Sequence, residues 1–229
     1  KKFFSYANTV TTINFDKTSK GHGWVGVRFQ NSENEEYNEI IIHVKFKETN
    51  PTLQQETLGS LGVNLIYGAY FYTDNPRILV ESLYDDLSLD RLEIDMIDFS
   101  GPAFQYVDNR LMSLQLVKLG MTDAVIFNSE GNNMLPADIL YKKNIFAVRG
   151  SFRPVTRVNI DMFEHGLDMF NQDNSCDHQN TQILFEITIS NLRASGDIDE
   201  RDFLDRVDIL GTLGYTVMIS NFSEYYRMV

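Results

Sequence analysis

From residue 92 onward, short apolar runs alternate with helical patterns, and this alternation constrains the fold more than any other feature. Residues 92–98 (LEIDMID), 123–127 (DAVIF), 144–148 (NIFAV) and 215–220 (YTVMIS) carry the β-branched and apolar content of strands. Between them lie helical segments at 110–119, stopped by Gly120, and at 136–141, 157–170 and 184–192. A last helix runs to Leu213, opened by Asp197 and Glu200 as a capping box. This succession predicts an α/β fold, a mainly parallel sheet with helices on both faces. Upstream, residues 24–30 (WVGVRFQ) and 40–46 (IIIHVKF) predict an N-terminal antiparallel β-hairpin joined by a polar loop. Asn50-Pro51 and Asn75-Pro76 are helix starts, an Asn cap followed by Pro in the first turn. The first helix is expected to continue to residue 72, with Gly59 and Gly62 permitting close packing. The expected organisation is a hairpin region over 1–50 and an α/β domain over 51–229.

Charge and cysteine content narrow the function classes. Thirty-two acids against 20 bases give a net charge of −12, a surface that repels nucleic-acid phosphates. The longest apolar stretch, residues 61–72, is interrupted by Asn64 and Gly68 and falls short of the ~18 residues of a membrane span. The single cysteine, Cys176, permits neither an internal disulfide nor a cysteine zinc cluster, which points to a cytoplasmic setting. The chain opens on Lys1-Lys2 and ends within the apolar 225–229 segment. It is therefore expected to be a piece of a longer protein, with an apolar patch at Tyr225-Tyr226 that favours a homo-oligomer.

In open α/β sheets, ligands bind beyond the carboxyl ends of the strands. Those ends are expected at Asp98-Phe99-Ser100-Gly101, Asn128-Ser129, Arg149-Gly150-Ser151 and Ser220-Asn221. The sharpest signal is RGSFRPVTRVNIDMF, residues 149–163, set between a strand and a helix. Gly150 permits close backbone approach to a phosphate, Pro154 stiffens the turn, Thr156 offers a hydroxyl, and the helix N-terminus favours an anion. Arg149, Arg153 and Arg157 concentrate positive charge in an acidic chain, which suits a polyphosphate.

Gly150-Ser151-Phe152-Arg153-Pro154-Val155-Thr156 resembles the Gly-x-Phe-x-Pro-Val-Thr opening of the nucleotidyltransferase superfamily. That family includes pantetheine-phosphate and nicotinamide-nucleotide adenylyltransferases. Its motif continues to a Gly and a phosphate-binding His, where this chain has Val158 and Asn159. Its second motif, Ile-Ser-x-Thr-x-x-Arg, is echoed with different spacing by Ile219-Ser220 and Arg227. Segments along the whole chain, among them HGWVGVRFQ, EIDMIDFSGP, LYKKNIF and DERDFLDRVDIL, are similar to a bacterial family associated with adenylyl transfer to nicotinamide or nicotinate mononucleotide. Members of that family continue past the position of Val229.

The resemblance implies a nucleotide-binding protein in which a mononucleotide phosphate attacks the α-phosphate of ATP, with Mg²⁺ accompanying the ATP. Asn159 and Arg153 would stand at the catalytic positions. Gly150, Ser151, Phe152, Pro154, Thr156, Arg149, Arg157 and Ser220 would line the nucleotide, with Asp98 on Mg²⁺ or a ribose hydroxyl. The alternative is a non-catalytic α/β protein that acts through a partner or a second copy, which Val158 and Asn159 favour. No pair among His22, His43, His165 and His178 has metal-ligand spacing, and His22 reads as a loop residue. Asp95 and Asp98, three apart on one strand, are expected on opposite faces, with Leu92, Ile94 and Met96 sharing one side.

Overall fold

The computed structural model describes residues 3–14, 16, 20–173 and 180–224. Cys176, His178, Arg227 and the Tyr225-Tyr226 end lie outside them. The chain divides into two compact units, Lys1–Thr122 and Asp123–Val229.

In the first unit, β1 (Phe3–Thr11), β2 (His22–Gln30), β3 (Asn38–Phe46) and β4 (Leu92–Ser100) form one sheet in sequence order. Every pairing is antiparallel. Strand alternation directs Val25, Val27, Phe29, Ile40, Ile42 and Val44 to one face, where they are buried. Three helices cover that face: α1 (Pro51–Phe71), α2 (Pro76–Ser82) and α3 (Asn109–Lys118). Asn50 caps α1 by accepting from the amides of Thr52 and Leu53, and Asn75 caps α2 through the amide of Ile78. In α1, Leu61, Leu65 and Ala69 enter the core, each such burial being worth about 1.5–3 kcal/mol for a large side chain. Two of the three α1 glycines, Gly59 and Gly62, differ in their surroundings. A side chain at Gly62 would meet the Tyr6 hydroxyl at 2.8 Å, whereas Gly59 faces open space. No helix among the described residues is long and apolar enough to cross a membrane.

The second unit holds β5 (Ala124–Phe127), β6 (Asn133–Met134), α4 (Pro136–Leu140), β7 (Asn144–Arg149), α5 (Arg157–Asn171), β8 (Thr181–Thr188), α6 (Ile189–Leu192), α7 (Glu200–Thr212) and β9 (Thr216–Ser220). The sheet order is β6-β5-β9-β8-β7. β7, β8 and β9 are mutually parallel, while β5 is antiparallel to both β9 and β6. Phe185 on β8 centres the packing, with Phe152, Phe163 and Tyr215 rings 5.4, 5.2 and 4.1 Å from it.

These sheets overturn the expectation of a mainly parallel sheet with helices on both faces. One is antiparallel and the other mixed. A single helical pass between strands returns the chain to its start and yields a parallel neighbour. Between β3 and β4 there are two passes, α1 out and α2 back, so β4 begins beside the end of β3, with Phe46 opposite Leu92. The helix expected over 184–192 is also wrong: 181–188 is a strand and only one helical turn follows. A strand buried on both faces is apolar throughout, so periodicity does not separate it from a buried helix. The last helix is capped by Asp199, not Asp197, through the amides of Arg201 and Asp202. On β4 the register shifts so that His43 pairs with Met96 and Val44 with Ile94, leaving Asp95 as the extra residue between them, and Ile97 and Phe99 resume the core face. The bulge puts Asp95 and Asp98 on the same face and takes Met96 off the Leu92–Ile94 side.

Candidate functional site

The β7–α5 connection carries the motif residues. Its geometry begins with the ladder: the Gly150 amide donates to the Glu186 carbonyl at 3.1 Å, extending the β7–β8 pairing by one residue. Phe152 then adopts φ +46° with its ring buried against Phe185. That ring folds back over Gly150, where a Cβ would lie 2.9 Å from the Phe152 ring. A protein side chain thus accounts for the glycine. Beyond the cis Arg153–Pro154 bond, Thr156 is the N-cap of α5. Its hydroxyl donates to Asn159 Oδ1 at 2.7 Å and accepts from the Asn159 amide at 3.3 Å. Asn159 Oδ1 also accepts from the Thr156 amide at 2.8 Å, which completes a capping box.

The arginines differ in what they hold. Arg149, at the end of β7, grips the carboxylate of Glu186 from two nitrogens at 2.7 and 3.0 Å. Glu186 is fully buried, and the Ser220 hydroxyl donates to the same carboxylate. Arg149 and Ser220 therefore converge on one point, as the sheet-edge reading requires, but the point is a buried protein anion. Arg153 pairs with Asp202 at 2.8 Å and donates to Ser195. Buried Arg206 also pairs with Asp202 and donates to the Ser151 carbonyl at 3.0 Å. Arg157, exposed in the first turn of α5, makes no ion pair among the described residues.

Arg157 stands on a groove of about 550 Å³ between α5 and α7. Val155, Ile160, Ile209 and Leu213 give it apolar walls, and Asp161 and Asp208 bring carboxylates to it. Its size is that of a small-molecule site. Of the remaining strand ends, one is at the opposite end of the five-stranded sheet's strands and one is in the first unit. β5 is antiparallel to β9, with Ala124 opposite Ser220, so Asn128-Ser129 lies at the other end of the sheet. Asp98 belongs to the first unit, where Asn109 donates to it at 2.7 Å. Burial, and secondarily the nearby charge of Glu39, push its carboxyl above the ordinary range. Among the described residues no group of three His, Cys, Asp or Glu is placed to hold a metal ion.

The four-stranded sheet carries a second polar cluster on the face away from its helices. His43 Nδ1 lies 2.6 Å from Asp95 Oδ1, and Lys45 Nζ lies 2.7 Å from Asp95 Oδ2. Burial works to raise the Asp95 carboxyl, but the His43 hydrogen bond and the Lys45 charge outweigh it and hold the group below its ordinary value. Burial likewise opposes the Lys45 charge, yet Asp95 and Glu93 hold the ammonium above its ordinary value. His22 opens β2 rather than sitting in a loop, its ring 5.7 Å from that of His43.

No protein-family model, curated protein or solved structure matches the chain. Sequence reasoning missed Glu186, Asp202 and Arg206, which fix the loop. Reading 184–192 as helix hid Glu186. A lone acid inside an apolar run, facing an Arg at a neighbouring strand end, is the signal that finds it.

Proposed function

We propose that the second unit binds a nucleoside monophosphate in the α5–α7 groove, as the mononucleotide half of an adenylyl-transfer site or as a binding protein for such a ligand. The groove itself carries this reading: apolar walls flank a planar base, and Arg157 with the α5 N-terminus meets a phosphate. Asp161 and Asp208 suit ribose hydroxyls as acceptors. One arginine against two carboxylates fits a monophosphate better than the triphosphate of ATP, because Arg149 and Arg153 are already neutralised within the protein. In transfer, the monophosphate oxygen would attack the ATP α-phosphorus and pyrophosphate would leave. Mg²⁺ would arrive on the ATP phosphates. The reading keeps a cytoplasmic setting.

Calorimetric titration with nicotinamide mononucleotide, nicotinate mononucleotide and AMP tests it. Arg157→Ala should weaken binding by about 1.5–3 kcal/mol, the worth of a charge-assisted hydrogen bond. Absence of heat with all three at millimolar concentration would overturn the reading.

The rival reading, a non-catalytic protein using this region for a partner or second copy, is favoured by Val158, Met162 and Met169, exposed along α5. Met162→Glu discriminates. It should leave mononucleotide binding intact under the first reading and abolish association seen by light scattering under the second.

A further inference from the structure

On the outer face of the four-stranded sheet, register sets three rows of facing residues. Thr9, Trp24 and His43 form one row, Ala7, Gly26 and Ile41 the next, and Ser5, Arg28 and Glu39 the third. The middle row has the smallest side chains, and a slot of about 340 Å³ lies over it, lined by Trp24, Arg28, Glu39, Ser5 and Thr9. Trp24 and Arg28 stand at its ends, about 13 Å apart along β2 at four residues' separation.

Nothing in the fold asks for a glycine at 26. Its φ is not in the left-handed region, and an added Cβ would meet Ile40 O and Ile41 Cγ1 at an ordinary 3.5 and 3.8 Å. A glycine inside a strand weakens it and marks a place where something approaches the backbone. The end walls are also fixed in place. Trp24, 37% exposed, packs edge-on against His43 at 4.9 Å, and His43 is tied through buried Asp95 to Lys45. A buried ion pair is a poor stabiliser of a fold. Here it lies on the face opposite the apolar core, and it orients an exposed indole. Arg28 stacks over Tyr37 at 4.1 Å and donates twice to Glu39 Oε1, at 3.0 and 2.7 Å.

We propose that this slot is a carbohydrate site, taking a neutral sugar ring against Trp24. The apolar face of a pyranose suits an indole. Its hydroxyls need both donors and acceptors, which Ser5, Thr9, Arg28 and Glu39 supply. Arg28 and Glu39 cancel in charge, so the slot offers an anionic ligand no net attraction. This proposal is independent of the groove in the second unit.

Trp24 is the protein's single tryptophan, so its fluorescence reports on the slot directly. The full chain is titrated with glucose, galactose, mannose, N-acetylglucosamine and their β-linked disaccharides, and in parallel with adenosine and uridine. At least one sugar should give a saturable change with millimolar affinity. Gly26→Val should weaken it about tenfold or more while circular dichroism shows the fold retained. If the valine variant does not fold, Gly26→Ala must weaken the same sugar. Three results overturn the proposal: no saturable response to any sugar, a tighter response to the nucleosides, or a sugar response unchanged in the Gly26 variants.

Discussion

Arg149 and Glu186 face each other across the parallel β7–β8 pair, and the arginine holds the buried carboxylate with two hydrogen bonds of 2.7 and 3.0 Å. Removing one partner of such a pair strands the other charge. Arg149→Met should cost about 3–5 kcal/mol in urea denaturation followed by circular dichroism, and Arg149→Met with Glu186→Leu should recover most of it. If Arg149 were instead a phosphate ligand, the single substitution would lower mononucleotide affinity and leave stability unchanged.

Asn159 takes the place of the histidine in the resembled motif, and here it closes the capping box of α5 with Thr156. Asn159→Ala should cost about 0.5–2 kcal/mol of stability and leave mononucleotide affinity within twofold. Denaturation and calorimetry on the same variant measure both. A large loss of affinity with no loss of stability would restore a ligand-contacting role.

The glycines give a signed pair. Gly59 faces open space in the interior of α1, so Gly59→Ala should stabilise by about 0.5–1 kcal/mol. In α7 a side chain at Gly211 would meet the Ser129 carbonyl oxygen at 2.6 Å, so Gly211→Ala should destabilise. Melting temperatures of the two variants should move in opposite directions.

The Asp95 cluster makes stability depend on pH at both ends. Asp95 has a folded-state value below its unfolded one, so its contribution is present above about pH 4 and is lost as pH falls through the folded value. Lys45 has a raised folded value, so its contribution is full below about pH 10 and is lost as pH rises through that value. The advantage of the natural chain over Asp95→Asn should therefore shrink in acid, as pH falls through the folded value of Asp95. Urea midpoints read from Trp24 fluorescence across pH check this, and a difference constant with pH would contradict it.

How much of this was legible in the sequence depended on whether a signal was local. Asn50-Pro51 and Asn75-Pro76 place α1 and α2 because capping and the fixed proline φ act within one turn. Sheet topology is not local. Strand direction depends on the number of helical passes, and β8 is disguised by being buried on both faces. At the candidate site, the strand–glycine–helix context of 149–157 was readable, but the partners of its side chains were not. Glu186, Asp202 and Phe152 reach Arg149, Arg153 and Gly150 only through tertiary packing. Gly150 follows the rule that a glycine marks close approach, with an aromatic ring in the place expected for phosphate.

Hydrogen–deuterium exchange with and without nicotinamide mononucleotide tests the central claim most directly, because it locates the ligand as well as detecting it. Exchange should slow in peptides covering 155–161 and 208–213, which line the groove, and stay unchanged over 149–153. Protection centred on 149–153, or none anywhere in the second unit at saturating ligand, would contradict it.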